Sequence, residues 1–280
     1  MQEPDGQLAD ILRASDRDRY LSALYAPAGK RQDLFALYAF NAEIAAIRDR
    51  IREPLPGEIR LQWWRDVLTA AEGAADGHPV AVALVKAIEA SGLPRAAFDN
   101  YLEARIFDLY DDPMPSRVDL EGYCGETASA IIQLAALILD RHSAPDQAEL
   151  AGHAGCAQAI AGLLRLLAIH RARGQCYVPR DILSAAGTSP EEFISGGSPA
   201  AARRAIEAMI ALANHHLGAF REGARRLPAD LRPAFLPVAL VPAYLDKLAG
   251  DPDRALRIPA DISEVRRHWI MFRTAGRGWS

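Results

Sequence analysis

The 280-residue chain is long enough for one large domain or two smaller ones, and its 50% hydrophobic and 24% charged content is typical of a globular protein. A net charge of −4, with no stretch that resembles a DNA- or RNA-reading module, gives no support for a nucleic acid partner. The longest apolar runs, such as Ala128–Leu139, are interrupted by Gln133 and fall short of a membrane span. The N-terminus is too acidic and polar for a signal peptide, and the three cysteines lack metal-ligand spacing, so we expect a cytoplasmic protein.

The hydrophobic pattern is helical along the chain and shows no alternation typical of strands. Ser15 or Asp16 is suited to cap a short helix that ends at Tyr25. Residues 71–79 and 187–199 have the composition of loops. The remaining pattern predicts helices over Ala28–Ile51, Glu58–Ala70, Val80–Ala90, Arg95–Tyr110, Asp119–Arg141, Asp146–Arg173, Ala200–Arg226, Leu231–Ala249 and Ile262–Phe272.

These helices predict a single all-α domain over residues 1–280, with its core at 15–250 and a flexible tail at 274–280. In the amphipathic helix 200–226, the residues expected to face inward are Ile206, Met209, Ile210, Ala213 and Leu217. Three glycines in the helix 146–173, each costing about 1 kcal/mol against alanine, indicate close helix packing or room for a ligand. They are Gly152, Gly155 and Gly162.

Two segments carry the most informative pattern. Residues 34–49 read LFALYAFNAEIAAIRD, and residues 163–179 read LLRLLAIHRARGQCYVP. Both resemble the signature helices of the squalene/phytoene synthase family, which joins two prenyl diphosphates head to head. In that family an Asp-Asp-x-x-Asp cluster usually follows Tyr-Ala-Phe, and an Asp-x-x-x-Asp pair precedes an Arg-Gly-Arg-x-Tyr-Leu-Pro run. Aligned without gaps, the carboxylate positions fall on Ala45, Ala46, Asp49, Leu166 and His170.

The resemblance therefore implies a magnesium site that has lost all its carboxylates except Asp49. Mg²⁺, bridged by carboxylates and substrate phosphates, takes up the charge that develops as a diphosphate leaves. Alanines on one helix, facing a leucine and a histidine on the other, cannot supply those ligands. Asp49, beside Arg48, is interpreted as a solvated or salt-bridged helix residue. We expect no catalytic residue, no metal and no cofactor here.

Residues near the two segments are candidates for binding an isoprenoid or an anionic lipid. Arg165 and Arg173 match arginines that approach diphosphate in the family, and arginine is suited to bidentate phosphate contact. A competing interpretation, equally weighted, pairs these arginines with helix acids such as Glu43 or Glu126. His170 is interpreted as a hydrogen-bonded structural histidine. The candidate ligand-binding residues are Asn41, Arg48, Trp64, Arg165, Arg173 and Tyr177.

Two further groups have competing interpretations. The tryptophans of the helix 58–70 could stack on an isoprenoid chain, but we favour Trp63 as a core residue and Trp64 as partly exposed. Asp108, Asp111 and Asp112 form the one dense carboxylate cluster. Because proline disfavours a helical residue before it, Pro113 indicates that this cluster is a solvated helix end.

The segments GEIRLQWWRD and IFDLYDDP extend the resemblance to one branch of the family. That branch includes the mitochondrial complex I assembly factor and has lost the same aspartates. The resemblance implies the isoprenoid synthase helical bundle, with a central cavity, and a role in assembling respiratory complex I at the inner membrane face. The partners it implies are complex I subunits or assembly intermediates.

Two alternatives stay open. The first is an active head-to-head prenyltransferase that binds Mg²⁺ through Glu43, Asp49 and Asp108. The second is peripheral membrane attachment through an amphipathic face.

Overall fold

The computed structural model describes residues 4–69, 75 and 77–279, and every regular element in those residues is helical. Most of the predicted 71–79 loop, with the predicted helix end at Ala70, lies outside the described residues. The α-helices, numbered in chain order, are α1 (Pro4–Ser15), α2 (Arg17–Leu24), α3 (Ala28–Ala45), α4 (Ile47–Arg50), α5 (Pro54–Thr69), α6 (Pro79–Ser91), α7 (Arg95–Ala104), α8 (Arg117–Cys124), α9 (Ala130–Leu139), α10 (Ala148–Arg165), α11 (Leu167–Ala172), α12 (Arg180–Ala186), α13 (Pro190–Ser195), α14 (Pro199–Ala224), α15 (Arg232–Phe235), α16 (Val241–Gly250), α17 (Pro252–Ala255) and α18 (Glu264–Arg277).

Shorter helical turns join several of these helices. A π-helical turn, Gly125–Ser129, links α8 to α9. The 3₁₀ turns are Arg105–Leu109, Pro145–Gln147, Ala229–Leu231 and Leu236–Leu240. The all-α prediction is confirmed.

Local chemistry accounts for many of the helix ends. The Asp16 carboxylate accepts a hydrogen bond from the Arg19 backbone N–H at 3.0 Å and so caps α2, as the sequence predicts. Ser198 caps α14, whose first residue is a proline. Gly92 adopts a left-handed conformation at the C-terminus of α6.

Helix α10 lies at the centre of the bundle. It packs most extensively against α14 and also contacts α8, α9, α16 and the π-helical turn. A Cβ atom on Gly155 would lie 2.4 Å from the Ser129 backbone nitrogen, so this glycine permits the close approach of α10 to the π-helical turn. Gly152 and Gly162 have open space where a Cβ would be. The close packing inferred from the glycines is therefore found at one position of the three.

The predicted inward face of α14 is confirmed, because the inward-facing residues from Ile206 to Leu217 are all buried. The expectation for the tryptophans of α5 is wrong. Trp64 is 1% exposed and packs edge-on against Phe40 at 5.0 Å, whereas Trp63 is only partly buried. Gly57, Leu61, Trp64 and Leu68 share one face of α5, and that face is the buried one.

Several predicted boundaries differ from the structure. The 187–199 loop contains α13, which Ser189 caps through the Glu192 backbone N–H. The predicted helix Leu231–Ala249 is divided into short turns with prolines near their starts. Residues 274–277, assigned by the sequence to the tail, continue α18, and the Trp279 ring packs on Phe220 with centroids 5.2 Å apart.

One continuous helix in the described residues is long and apolar enough to cross a membrane. It runs from Arg117 to Leu139, through α8, the π-helical turn and α9. This helix is longer than the apolar run Ala128–Leu139 noted in the sequence, because the π-helical turn continues α8 into α9 without a break. Its most apolar window is 56% buried against the rest of the fold. A core helix has the same properties, so this helix is weak support for a membrane span.

Candidate functional site

Each of the two signature segments is a helix that breaks at a degenerate motif position. The first breaks at Ala46, between α3 and α4, and the second at Leu166, between α10 and α11. The sequence predicts continuous helices at both places, because neither break carries a proline or a glycine. The breaks place the last residues of each motif on a short helix of its own.

The surviving motif carboxylate forms an ion pair with the second segment. Asp49, on α4, accepts a hydrogen bond from Arg173, which follows α11. We call these two residues the motif pair. Both are partly exposed, and Ala45 at the degenerate position beside them is also exposed. The two segments are therefore joined by the Asp49–Arg173 ion pair, whereas a metal site would need carboxylates on both segments.

Arg48, next to Asp49 in the sequence, forms an ion pair with a different acid, Asp111. Its Nη2 lies 2.9 Å from Asp111 Oδ1, and its Nη1 donates to the Ile51 carbonyl at 3.4 Å. The Arg48 side chain is largely buried, and its Nε has no hydrogen-bond partner. Arg48 thus links α4 to the segment after the Arg105–Leu109 turn.

In the second segment, the two degenerate positions are an exposed leucine and a neutral histidine. Leu166 is exposed. The His170 ring packs on Tyr177 at 4.8 Å, and its Nδ1 has no hydrogen-bond partner. Burial lowers the pKa of His170 to about 4, so the imidazole is uncharged at neutral pH. It therefore adds no positive charge for a diphosphate. The sequence predicts a hydrogen-bonded structural histidine, and at Nδ1 no such bond is formed.

Asp108 is the centre of a buried hydrogen-bond network that includes Tyr177, the residue on which the His170 ring packs. Tyr123 and Tyr177 each donate to its Oδ1 at 2.8 Å, and Arg105 Nη1 lies 2.9 Å from its Oδ2. Burial raises the pKa of both tyrosines, which keeps them protonated as donors. Asp108 is therefore not the solvated helix end that the sequence predicts. Asp111 and Asp112 are exposed, as expected.

Arg165 lies in a different environment from Arg173. Its guanidinium carbon is 3.8 Å from the centre of the Tyr244 ring, and its Nε donates to the Ala260 carbonyl at 3.1 Å. Asp18 and Asp261 lie 3.7 and 3.6 Å from its terminal nitrogens. Arg165 is thus close to acids, as the competing interpretation expects, but these are Asp18 on α2 and Asp261 in the segment before α18, and not Glu43 or Glu126.

Arg165 belongs to a group of charged residues that fixes the C-terminal helix. Arg267, on α18, is almost fully buried and binds Asp18 Oδ1 at 2.6 Å and Asp261 Oδ1 at 2.8 Å. The Tyr244 hydroxyl donates to Asp18 Oδ2 at 2.9 Å. We call these five residues, Asp18, Arg165, Tyr244, Asp261 and Arg267, the C-terminal cluster.

The other candidate residues are occupied by contacts within the fold. Asn41 is buried and its Oδ1 accepts a hydrogen bond from the Tyr101 hydroxyl at 2.9 Å. Glu43 lies 3.4 Å from His78 Nε2, and burial raises the pKa of its carboxyl group. Of the candidates, Arg173 contacts Asp49, and Tyr177 packs on His170. Arg48 contacts Asp111, and Arg165 lies in the C-terminal cluster.

The residues present do not fit a magnesium ion. Mg²⁺ requires several oxygen ligands in octahedral geometry. Glu43, Asp49 and Asp108 each contact a different basic residue, and these are His78, Arg173 and Arg105. Within the described part of the chain, no group of three or more His, Cys, Asp or Glu residues is placed to hold a metal. The proposed set of unconventional ligands is therefore not assembled.

Comparison with known proteins identifies the family. The family model described as "Squalene/phytoene synthase" matches residues 12–269. The chain belongs to this family. Its helical fold is that of a dehydrosqualene synthase crystal structure, with a TM-score of 0.80 at 19% identity over 98% of this chain and 96% of that one. Squalene synthase HpnC from Alicyclobacillus acidocaldarius gives a TM-score of 0.75 at 20% identity, over 92% and 95% of the two chains.

Within the family, the curated relatives with the higher identities are named as assembly factors. "NADH dehydrogenase (ubiquinone) complex I, assembly factor 6" from Bos taurus is 32% identical over 87% of this chain and 73% of the relative. The Homo sapiens protein of that name is 31% identical over 87% and 73%. A presqualene diphosphate synthase from Sinorhizobium fredii is 25% identical over 91% and 92%. The predicted resemblance to the assembly-factor branch is confirmed.

Proposed function

We propose that this member of the squalene/phytoene synthase family has lost prenyl diphosphate turnover and supports the assembly of respiratory complex I at the inner membrane face. The observation that carries the proposal is the motif pair. The last motif carboxylate, Asp49, is neutralised by Arg173 from the opposite segment. The other four carboxylate positions are alanine, alanine, leucine and histidine.

The charge balance supports the loss of catalysis. A prenyl diphosphate carries several negative charges, and its ionisation depends on cations that neutralise the leaving group. Here Arg48, Arg165 and Arg173 already lie against carboxylates, and His170 is neutral. A diphosphate would have to displace at least one ion pair without a metal to replace it.

The assembly role rests on the relatives. Four relatives that exceed 30% identity over most of the chain bear the name of complex I assembly factor 6. The partners we propose for this chain are complex I subunits or assembly intermediates. Binding of an isoprenoid or anionic lipid remains part of the proposal, with Arg48, Arg173 and Tyr177, all on the two signature segments, as its candidate residues.

A genetic test addresses the assembly role and catalysis together. In cells that lack this chain, we expect reduced NADH:quinone oxidoreductase activity in isolated membranes and restoration by the wild-type chain. Asp49→Asn removes the last motif carboxylate and should restore the activity equally well. The matched control is Asp112→Asn, which changes an exposed carboxylate outside the motif pair.

Two outcomes would contradict the proposal. Normal complex I activity without the chain would remove the assembly role. Restoration by Asp112→Asn but not by Asp49→Asn, at equal protein levels, would indicate that the carboxylate of Asp49 has a chemical role.

The alternative function is head-to-head prenyl transfer with Mg²⁺. It is favoured by the fold shared with dehydrosqualene synthase. It would require Asp49 to leave Arg173 and further ligands to converge on it. Metal-dependent release of diphosphate from a prenyl diphosphate distinguishes this alternative from the proposal.

A further inference from the structure

The C-terminal helix α18 carries a ridge of large apolar side chains that faces away from the protein. Val265, Trp269 and Phe272 are 80%, 62% and 65% exposed. Their spacing of four and three residues places them on one face of the helix. The rings of Trp269 and Phe272 lie side by side, with centroids 6.5 Å apart. We call these three residues the α18 ridge.

Contacts made by the opposite, buried face of α18 keep the ridge turned toward solvent. Met271 is fully buried, and Arg267 is held by the carboxylates of Asp18, Asp261 and Glu264. Rolling the helix to bury the ridge would remove Arg267 from these carboxylates. Breaking a buried ion pair in this way is strongly unfavourable. The exposure of the ridge is therefore built into the fold.

Positive charge lies along one flank of the ridge. Helical geometry places Arg266 and Arg273 on the same side, and both are exposed. Arg273 forms no ion pair with any residue that the structure describes, and Arg266 has only the exposed Asp246, at 3.9 Å. The nearby acids Asp261 and Glu264 are bound by other arginines. This flank is thus basic in a chain whose net charge is −4.

We propose that the ridge and the basic flank of α18 bind the surface of an anionic lipid bilayer. Trp269 and Phe272 would enter the boundary between headgroups and acyl chains, where aromatic residues are favoured. Arg266 and Arg273 would contact lipid phosphates. A helix with this division of aromatic and basic residues, lying in the plane of the interface, is typical of peripheral membrane proteins.

The size of the ridge favours a bilayer over a protein partner. A stable protein interface needs roughly 20 to 30 residues on each side. The ridge offers three apolar residues with two arginines beside them. Shallow insertion into an anionic bilayer does not need a surface larger than the ridge, because attraction between the arginines and the lipid headgroups adds to the free energy gained by burying the apolar side chains.

This inference rests on the part of the proposed function that places the chain at a membrane, and it specifies which surface makes the contact. An experiment that disproves lipid binding by this surface would leave the other two parts of the proposal, loss of catalysis and the assembly role, untouched. Those are measured by diphosphate release and complex I activity, whereas this surface is measured by lipid binding.

Vesicle co-sedimentation of the full chain tests the surface. We expect binding to vesicles of phosphatidylcholine with phosphatidylglycerol, weakening with added salt, and little binding to phosphatidylcholine alone. Trp269→Ala with Phe272→Ala should lower the partition coefficient at least about tenfold, because two aromatic side chains no longer enter the bilayer. Arg266→Gln with Arg273→Gln should lower it about fivefold per arginine.

The control variant removes two exposed apolar side chains at another place on the surface. Leu55 and Ile59, on α5, are 64% and 62% exposed and lie four residues apart, on one face of the helix. Leu55→Ala with Ile59→Ala should leave lipid binding unchanged. All four residues of the two apolar variants are exposed, so the thermal unfolding midpoint should be close to that of the wild type and serves as the check on folding.

Three results would overturn the proposal. One is failure of the wild-type chain to sediment with anionic vesicles. Another is equal loss of binding in the α18 and α5 apolar variants. The third is a concentration-dependent dimer that Trp269→Ala with Phe272→Ala dissociates, which would mean that a second copy of the chain covers the ridge.

Discussion

The two arginines that the family resemblance assigns to the diphosphate, Arg173 and Arg165, serve two different regions of the molecule. Arg173 forms the exposed motif pair with Asp49 between the two signature segments. Arg165 lies at the edge of the C-terminal cluster, where Arg267 is almost fully buried among carboxylates. In both regions, charge holds helices together. The difference is burial, and burial decides how much each contact contributes to stability.

The largest effect is expected where the charge is buried. Arg267→Met keeps most of the side-chain volume but leaves Asp18 without its closest cation, and should lower the free energy of unfolding by about 3 kcal/mol or more. Chemical denaturation measures the loss. Arg266→Met, on the exposed neighbouring position, is the control and should change the free energy by less than about 0.5 kcal/mol. Equal effects of the two variants would mean that the buried position of Arg267 adds nothing to its contribution to stability.

A second large effect is expected in α10, which ends at Arg165. Gly155→Ala would place its Cβ against the Ser129 backbone and should lower the free energy of unfolding by about 1–3 kcal/mol. Gly162→Ala, in the same helix, meets open space and should stabilise the chain by up to about 1 kcal/mol. Stabilisation by both substitutions would contradict the close approach of α10 to the π-helical turn.

A smaller, pH-dependent effect is expected at His170, between the motif pair and the Asp108 network. Its pKa in the folded chain, about 4, lies below the ordinary value of 6.5. The unfolded chain therefore binds a proton first, so stability is lost as the pH falls below about 6.5. Because His170 is partly exposed, we expect a loss of about 1 kcal/mol between pH 7 and pH 5 from this residue.

His170→Phe isolates that contribution. The variant retains a ring against Tyr177 and cannot be protonated. Its stability relative to the wild type should therefore rise as the pH falls from 7 to 5, as measured by denaturation at each pH. A difference that does not change with pH would mean that the pKa of His170 is not lowered in the folded chain.

The smallest effect is expected at the motif pair itself. Asp49→Asn should change the free energy of unfolding by less than about 1 kcal/mol, because exposed ion pairs are screened by solvent. The change should shrink further in high salt. Asp112→Asn provides the baseline for loss of an exposed carboxylate. A loss comparable to that of Arg267→Met would mean that the motif pair is a major structural link.

Most of the fold follows from patterns local in the sequence. Helical periodicity predicts most of the longer helices but not α1, α12, α13 or α17, and the inward face of α14 follows directly from its spacing. The burial of Trp64 could also have been predicted from the sequence, because Gly57, Leu61, Trp64 and Leu68 lie on one face of α5. The helix breaks at Ala46 and Leu166 could not be predicted, because neither position carries a helix-breaking residue.

The candidate site was less predictable because its contacts join distant parts of the chain. Asp108 accepts hydrogen bonds from Tyr123 and from Tyr177, which is 69 residues further along. Arg165 donates to a carbonyl 95 residues away. Sequence comparison located the missing carboxylates, but it could not show which basic residue each remaining acid contacts.

The most direct test of the account is Mg²⁺-dependent release of diphosphate from farnesyl diphosphate by the purified chain, with an active dehydrosqualene synthase as the positive control. The account predicts no release above the rate without protein, while the control is active. Metal-dependent release that Asp49→Asn abolishes and Asp112→Asn does not would contradict it, because Asp49 would then have to leave Arg173 and bind the metal.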